Sequence, residues 1–389
     1  MNKSFKPFKK GLRIIERNRF SLLSDIIQQE TDLKDLLPPL IKRGKGPYIY
    51  DYDDNRFIDF FLADGSILLG HAPPGITKII KGWLGRGFSS GYQAESHAML
   101  AKKLIQTFVY REYTGGNRYR CFFYSSTHEA LFSLFALLRL SGYSEKGVYI
   151  SDDEQSDWPF YPAFVQKIST RSLDRKRTSL LNYLITRFTK NTDWDEISRV
   201  LKQLCEKGVL IISDETQMES YLHSIHHNNL FEYIHMRVFG NWINSGLSFG
   251  CILADQSVFQ RLKQGISQHT LKKLLSVLGF PPLYKIKAAL ACAGLLMRYG
   301  GVHKLIQKNT EFYSLLGEKH FHLLNDIIYM RENEYLTANY TKLYTALLQN
   351  GIYFPISVNK PLWISSSHTD ELLQKSAGKI DSLFDNFYR

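Results

Sequence analysis

The sequence predicts an α/β protein built on a mainly parallel sheet covered by helices on both faces. Three observations predict it. Strand-like and helix-like segments alternate from about residue 47 onward, the pattern that parallel strands and their crossover helices produce. One strand candidate, 208–213 (GVLIIS), is a short apolar run that ends at Asp214, as expected for a strand buried on both faces. The chain has 389 residues, 44% hydrophobic and 22% charged. That excludes a disordered or fibrous polypeptide and suffices for two domains, or for one large domain with a smaller attachment.

The elements follow in order. Tyr48–Asn55 and Arg56–Phe60 read as two short strands around an Asp-Asp-Asn turn. Residues 94–108 (AESHAMLAKKLIQTF) read as an amphipathic helix, 119–124 (YRCFFY) as a strand and 128–141 as a largely buried helix. A strand is expected at 146–151, a helix at 194–206 and the buried strand at 208–213. Residues 236–239 (MRVF) and 250–254 (GCILA) are further strands. Near the C-terminus, Leu372, Leu373, Ala377, Ile380, Leu383 and Phe384 recur at helical spacing, one apolar face.

Composition narrows the function classes. No apolar run reaches the roughly 18 residues of a membrane span, so no membrane association is expected. Cys121, Cys205, Cys251 and Cys292 lie far apart without a CxxC pair, which reads as a reduced, cytoplasmic chain without a zinc ribbon or disulfide framework. Lys plus Arg outnumber Asp plus Glu by 49 to 37, a formal charge of +12. Basic residues gather in 1–19 and in 166–190. These read as solvated charge runs, with attraction to nucleic acid or an anionic surface as the alternative; no recognised nucleic-acid module is present, so nucleic acid is not expected as a partner. His223-Ser-Ile-His226-His227 reads as a solvated loop, with no acidic or cysteine partner evident for a metal.

Ligands in open parallel sheets sit at the carboxyl ends of strands. Two stretches fall there: Ser125–Glu129 and Asp214–Gln217. Each has a purely structural reading as a cap at the start of a helix.

Motifs then add a resemblance. The segment 44–76 (GKGPYIYDYDDNRFIDFFLADGSILLGHAPPGI) is similar to the entry of class III, fold-type I aminotransferases, above all in Gly70-His71-Ala72-Pro73. Leu210-Ile-Ile-Ser-Asp214-Glu215-Thr216-Gln217 resembles that family's "liiDEvqtG". Gly246-Leu-Ser-Phe-Gly250 resembles its "GGlPiGA", and Ser365-Ser-Ser-His368-Thr369-Asp370 its "sSaHT-ed". The blocks run in family order over about residues 40–385, nearest to the glutamate-1-semialdehyde aminomutase branch. The resemblance implies a mainly parallel, seven-stranded-type sheet in a large domain over 70–300. It implies a small α+β domain from 30–69 and 301–389, a basic arm over 1–29, and a homodimer with sites at the subunit interface. It also implies pyridoxal phosphate, an electron sink for carbanions.

That chemistry needs a lysine to hold the cofactor aldehyde, an aspartate beside the ring nitrogen, and N–H groups at a helix start for the phosphate. By resemblance, Asp214 takes the ring-nitrogen role and Gln217 contacts the ring oxygen. Ser126, Thr127 and His128 align with the phosphate loop "NSGTEA", but Thr127 stands for its Gly and His128 for its Thr. The register set by Gly246 and Gly250 puts Asn241 on the lysine, and an amide cannot form an imine. Asn244 and Ser245 stand for the glycines that follow that lysine. Asp152, Asp153 and Glu154 replace a stacking "YHG", and Phe280 replaces a phosphate-binding Thr.

The expected function is therefore an aminotransferase-like protein that has lost its lysine and acts by binding a protein partner or small molecule, with no metal. The alternatives are an active enzyme using a displaced lysine, among Lys263, Lys272, Lys273 and Lys285, or an anionic-surface or nucleic-acid binder.

Overall fold

The computed structural model describes residues 8–17, 38–86, 94–108, 119–141, 143, 147–150, 165–168, 181–264, 266–267, 269 and 281–389. The chain forms two compact units, Met1–Thr77 with Arg298–Arg389, and Lys78–Met297. The Gly70-His71-Ala72-Pro73 segment thus lies in the first unit.

The first unit opens with helix α1 (Lys9–Arg17), inside the expected basic arm, and strands β1 (Ile41–Lys45), β2 (Tyr48–Asp51) and β3 (Arg56–Asp59). Asp51 organises the β2–β3 turn: its Oδ1 accepts from the N–H groups of Asp53 and Asn55 at 3.0 and 2.7 Å. His71 Nε2 sits 2.7 Å from Asp59 Oδ2, and Asp59 Oδ1 accepts from the N–H groups of Phe61 and Leu62. The His71 motif therefore ties a loop to the end of β3. Gly70 has φ +80°, and a side chain there would collide with Ser367, so glycine is required on both counts.

The second unit carries a seven-stranded sheet. Its strands are β4 (Tyr119–Tyr124), β5 (Gly147–Ile150), β6 (Val165–Ile168), β7 (Tyr183–Thr186), β8 (Leu210–Glu215), β9 (Met236–Phe239) and β10 (Gly250–Asp255), in the order β4-β10-β9-β8-β7-β5-β6. Only β10 runs antiparallel to its neighbours, so the expected mainly parallel sheet is present. Helices α2 (Glu95–Phe108), α3 (Thr127–Leu140), α4 (Trp194–Glu206), α5 (Met218–His226), α6 (Gln256–Gln264) and α7 (Leu283–Tyr299) follow in chain order. Two apolar cores pack on opposite faces of the sheet. One joins α3 to Tyr183, Ile185, Leu210 and Ile212; the other joins α4 to Leu184, Phe188 and Ile211. Alternate residues of β7 and β8 feed alternate cores, as the two-residue period of a strand requires.

Two expectations are corrected here. In its described residues, 166–168 and 181–190, the basic stretch is not a solvated insertion. It contributes β6 and the wholly buried central strand β7, whose YLIT run lies between basic flanks. Nor is the His223–His227 stretch a solvated loop. His223 is fully buried on α5, and the His227 ring stacks on Trp194 with centroids 3.5 Å apart. Among the described residues no group of His, Cys, Asp and Glu could hold a metal.

The chain returns to the first unit with α8 (Gly301–Leu315), the hairpin β11 (Phe321–Leu324) and β12 (Ile327–Met330), α9 (Glu334–Gln349), β13 (Ile352–Tyr353) and α10 (Asp370–Phe387). Thr369 caps α10, which buries Leu373, Ala377, Ile380 and Phe384. His368, beside that cap, is fully buried, and its Nδ1 accepts from Ser365 N–H at 3.2 Å. Burial lowers its pKa from 6.5 to about 4, against the opposing charge of Asp59 and with Lys308 and His71 adding to the depression. A histidine lowered in the fold binds its proton more readily when unfolded. Its contribution is complete above pH 6.5 and is lost as pH falls toward about 4. A lowering of that size corresponds to about 3 kcal/mol. Urea melts of wild type and His368→Gln across this range should show the variant with a flatter pH dependence; parallel curves would refute the assignment.

Candidate functional site

The tips of three elements of the second unit converge at the carboxyl edge of its sheet. The first is the junction of β4 and α3. Ser126 is the N-cap of α3, and its Oγ accepts from Glu129 N–H at 3.1 Å. Glu129 Oε2 in turn accepts from Ser125 N–H at 2.7 Å. This reciprocal arrangement is close to a capping box, the sequence pattern Ser-x-x-Glu in structural form. Thr127 Oγ1 donates to the Phe249 carbonyl at 3.2 Å. Both hydroxyls of the phosphate-loop candidate are thus engaged within the protein. His128, which stands for the motif Thr, is exposed.

The second tip is the end of β8. The strand runs two residues farther than the apolar run suggested, so Asp214 and Glu215 are both in it, both fully buried, and face opposite sides of the sheet. Each has its own arginine. Arg187, the residue after β7, donates to Asp214 Oδ2 from Nε at 3.2 Å and from a terminal nitrogen at 2.7 Å. Thr216 donates to Asp214 Oδ1 from its N–H at 3.1 Å and its Oγ1 at 2.7 Å. On the other face, Arg237 Nε donates to Glu215 Oε1 at 2.9 Å, as does Ser213 Oγ at 2.8 Å. Burial raises the Glu215 pKa, while the Arg237 charge opposes the rise. Gln217 is the N-cap residue of α5, but its side chain makes no capping bond.

The third tip follows β9. Asn241 opens a 3-10 turn through Asn244. Its predecessor Gly240 packs so closely that an added Cβ would collide with the Thr216 carbonyl oxygen and lie 3.1 Å from Thr127 Oγ1. Trp242 Nε1 donates to the Glu215 carbonyl at 2.8 Å. The Asn241 turn, the start of α3 and the end of β8 are therefore one cluster. Asn244, at a glycine position of the motif, is 1% exposed, and neither polar atom of its amide has a hydrogen-bond partner. Ser245, at the next glycine position, takes φ +49°, where a side chain is strained.

Of the four alternative lysines, the structure brings Lys285, at the start of α7, to this cluster. Its Nζ donates to the Ser125 carbonyl at 2.6 Å, and burial lowers its pKa against the opposing charge of Glu129. Lys272, Lys273, Asp152, Asp153, Glu154 and Phe280 lie outside the described residues, as does the side chain of Lys263.

Arg187 and Arg237 went unrecognised as partners of the motif acids. Arg187 was visible only as one charge of a basic stretch.

The residues present do not fit pyridoxal phosphate in the manner the motifs imply. Asn241 offers no amine, and the Asp214 carboxylate already holds four donors from Arg187 and Thr216. A carboxylate has about four lone-pair sites, so a ring N–H would be a fifth donor.

No family profile matches the chain. Over 73 residues it is 34% identical to glutamate-1-semialdehyde 2,1-aminomutase of Thermus thermophilus, a stretch covering 19% of this chain and 17% of that enzyme. Over 69 residues it is 39% identical to the enzyme of the same name from Rhodopirellula baltica, covering 18% and 16%. The matched stretch is thus about a sixth of the length of these relatives. Solved structures match over nearly the whole chain. A transaminase with PLP bound aligns at TM-score 0.73 and 16% identity, covering 98% of this chain and 99% of that one. A glutamate-1-semialdehyde aminomutase from Pseudomonas aeruginosa aligns at 0.74 and 14%, covering 97% and 95%. Plasmodium falciparum ornithine δ-aminotransferase aligns at 0.70 and 18%, covering 97% and 98%. The sheet order, the motif blocks and these alignments agree: the chain has the fold of the fold-type I, pyridoxal-phosphate-dependent transaminases, and its sequence resembles the glutamate-1-semialdehyde aminomutase branch of class III.

Proposed function

We propose that this protein is a catalytically silent relative of the transaminases that acts by binding. The observation that carries the reading is Asn241. It stands at the lysine position of the motif, in a turn packed against both the start of α3 and the end of β8. A carboxamide neither forms an imine nor moves a proton at neutral pH, and losing an activated nucleophile costs orders of magnitude in rate. The binding reading includes a homodimer and a small-molecule or protein partner, in keeping with a fold that hosts many functions. Among the described residues no helix is long and apolar enough to cross a membrane.

One observation favours a second reading. Lys285 reaches the cluster with a lowered pKa, the property a displaced imine-forming lysine needs. A single experiment separates the two. The purified protein is mixed with excess pyridoxal phosphate, its absorbance is recorded, and borohydride followed by peptide mapping locates any fixed adduct. The silent reading expects no imine band and no lysine fixed in stoichiometric yield. Fixation on Lys285 would replace it with the displaced-lysine enzyme.

A further inference from the structure

We infer that Arg187 is a built-in substitute for a protonated ring nitrogen: with Thr216 it fills the Asp214 carboxylate, so this sheet edge excludes pyridinium ligands. Three features carry the inference. The first is saturation. Asp214 Oδ1 holds the Thr216 N–H and hydroxyl, and Oδ2 holds two Arg187 donors. A terminal Arg187 nitrogen also donates to Thr216 Oγ1 at 3.0 Å, closing the group into a triangle. The second is burial. Asp214 is 0% and Arg187 3% exposed. An incoming cation would have to displace a guanidinium that has no water to retreat into, or sit beside it as a like charge. The third is placement. The β7–β8 ladder pairs Thr186 with Ser213, so the next residues, Arg187 and Asp214, come side by side on the face that packs against α3. Arg187 thus sits at the acid that the motif assigns to the ring nitrogen. Thr216, the second contributor, stands where the motif is hydrophobic.

The inference uses the silent-site reading only to locate the pocket, and the two fail separately. A wild-type imine fixed on a lysine would overturn that reading. Pyridoxine 5′-phosphate has no aldehyde and forms no imine, so its binding tests Arg187 alone.

The experiment is calorimetric titration of the wild-type chain with pyridoxine 5′-phosphate and with its analogue in which a ring carbon replaces the nitrogen. The expected result is that the pyridine compound does not bind up to millimolar concentration, or binds at least about tenfold more weakly than the carbon analogue. Equal or tighter binding of the pyridine compound would overturn the inference. A second arm introduces the missing amine. Asn241→Lys alone is expected to give no borohydride-fixable imine with pyridoxal phosphate. The triple variant Asn241→Lys, Arg187→Leu, Thr216→Val is expected to give one, located at position 241. An imine of equal half-saturation in Asn241→Lys alone would overturn the inference, as would none in a triple variant whose circular dichroism is that of the wild type. A merely structural ion pair would leave ligand binding indifferent to the ring nitrogen.

Discussion

Replacing Arg187 with leucine is expected to lower the unfolding free energy by about 3–5 kcal/mol, the usual cost of stranding one partner of a buried ion pair. For a cooperative unit of this size that is a fall in Tm of roughly 6–20 °C. Asp214 is wholly buried and would keep the two Thr216 donors on Oδ1. Its Oδ2 would lose the two Arg187 donors and the guanidinium charge. The double variant Arg187→Leu, Asp214→Asn should recover most of the loss, because removing both charges of a buried pair is often close to neutral. Denaturant melts of the two variants check this. A single variant within 1 kcal/mol of wild type, or a double variant no better than the single, would show that the pair is not the coupled unit its geometry describes.

Arg237→Met should cost a similar amount at neutral pH, about 3–5 kcal/mol, but with a pH dependence. Arg237 lies 4.4 Å above the Phe231 ring as well as on Glu215, so methionine keeps part of the apolar contact while deleting the charge. Burial already raises the Glu215 pKa and Arg237 holds the rise back. Without Arg237 the rise is larger. A carboxyl whose pKa is higher folded than unfolded binds its proton more tightly in the fold. The variant should therefore be least stable above that folded value and regain stability as pH falls through it, while Ser213 continues to hold the group. Arg237→Met, Glu215→Gln should not show this recovery. Melts of both variants at neutral and mildly acidic pH decide the matter; a loss in the first variant that stays constant with pH would refute the titration of Glu215.

Most of the sheet was legible in the chain because burial on both faces imposes composition. Apart from Arg120 and Arg237, the runs 119–124, 208–213 and 236–239 are almost wholly apolar or aromatic, and they became β4, most of β8, and β9. Two strands escaped, β6 and β7; each is four residues long, and β7 is bordered by Arg and Lys. Its YLIT is too short for periodicity to outweigh the charge around it. The placement of Ser126, Asp214 and Asn241 at or just after strand ends was legible because spacing from nearby glycines and strand ends is a local property. A helix cap within Ser125–Glu129 was legible for the same reason, since its bonds span three or four residues.

By itself the sequence determined the fold class, the order of the motif blocks and the register that sets Asn241 against the motif's lysine. All of these follow from residue identity and local spacing. Only the tertiary structure decided what surrounds the motif acids. Arg187 and Asp214 are 27 residues apart, separated by a whole crossover helix. They meet because parallel strands joined through that helix lie side by side with their ends in register. A parallel crossover brings together groups whose separation along the chain says nothing of their distance in space. For that reason the inventory of charges could be read early, while which charge neutralises which, and whether Asp214 has room for a ligand, depended on the packed sheet.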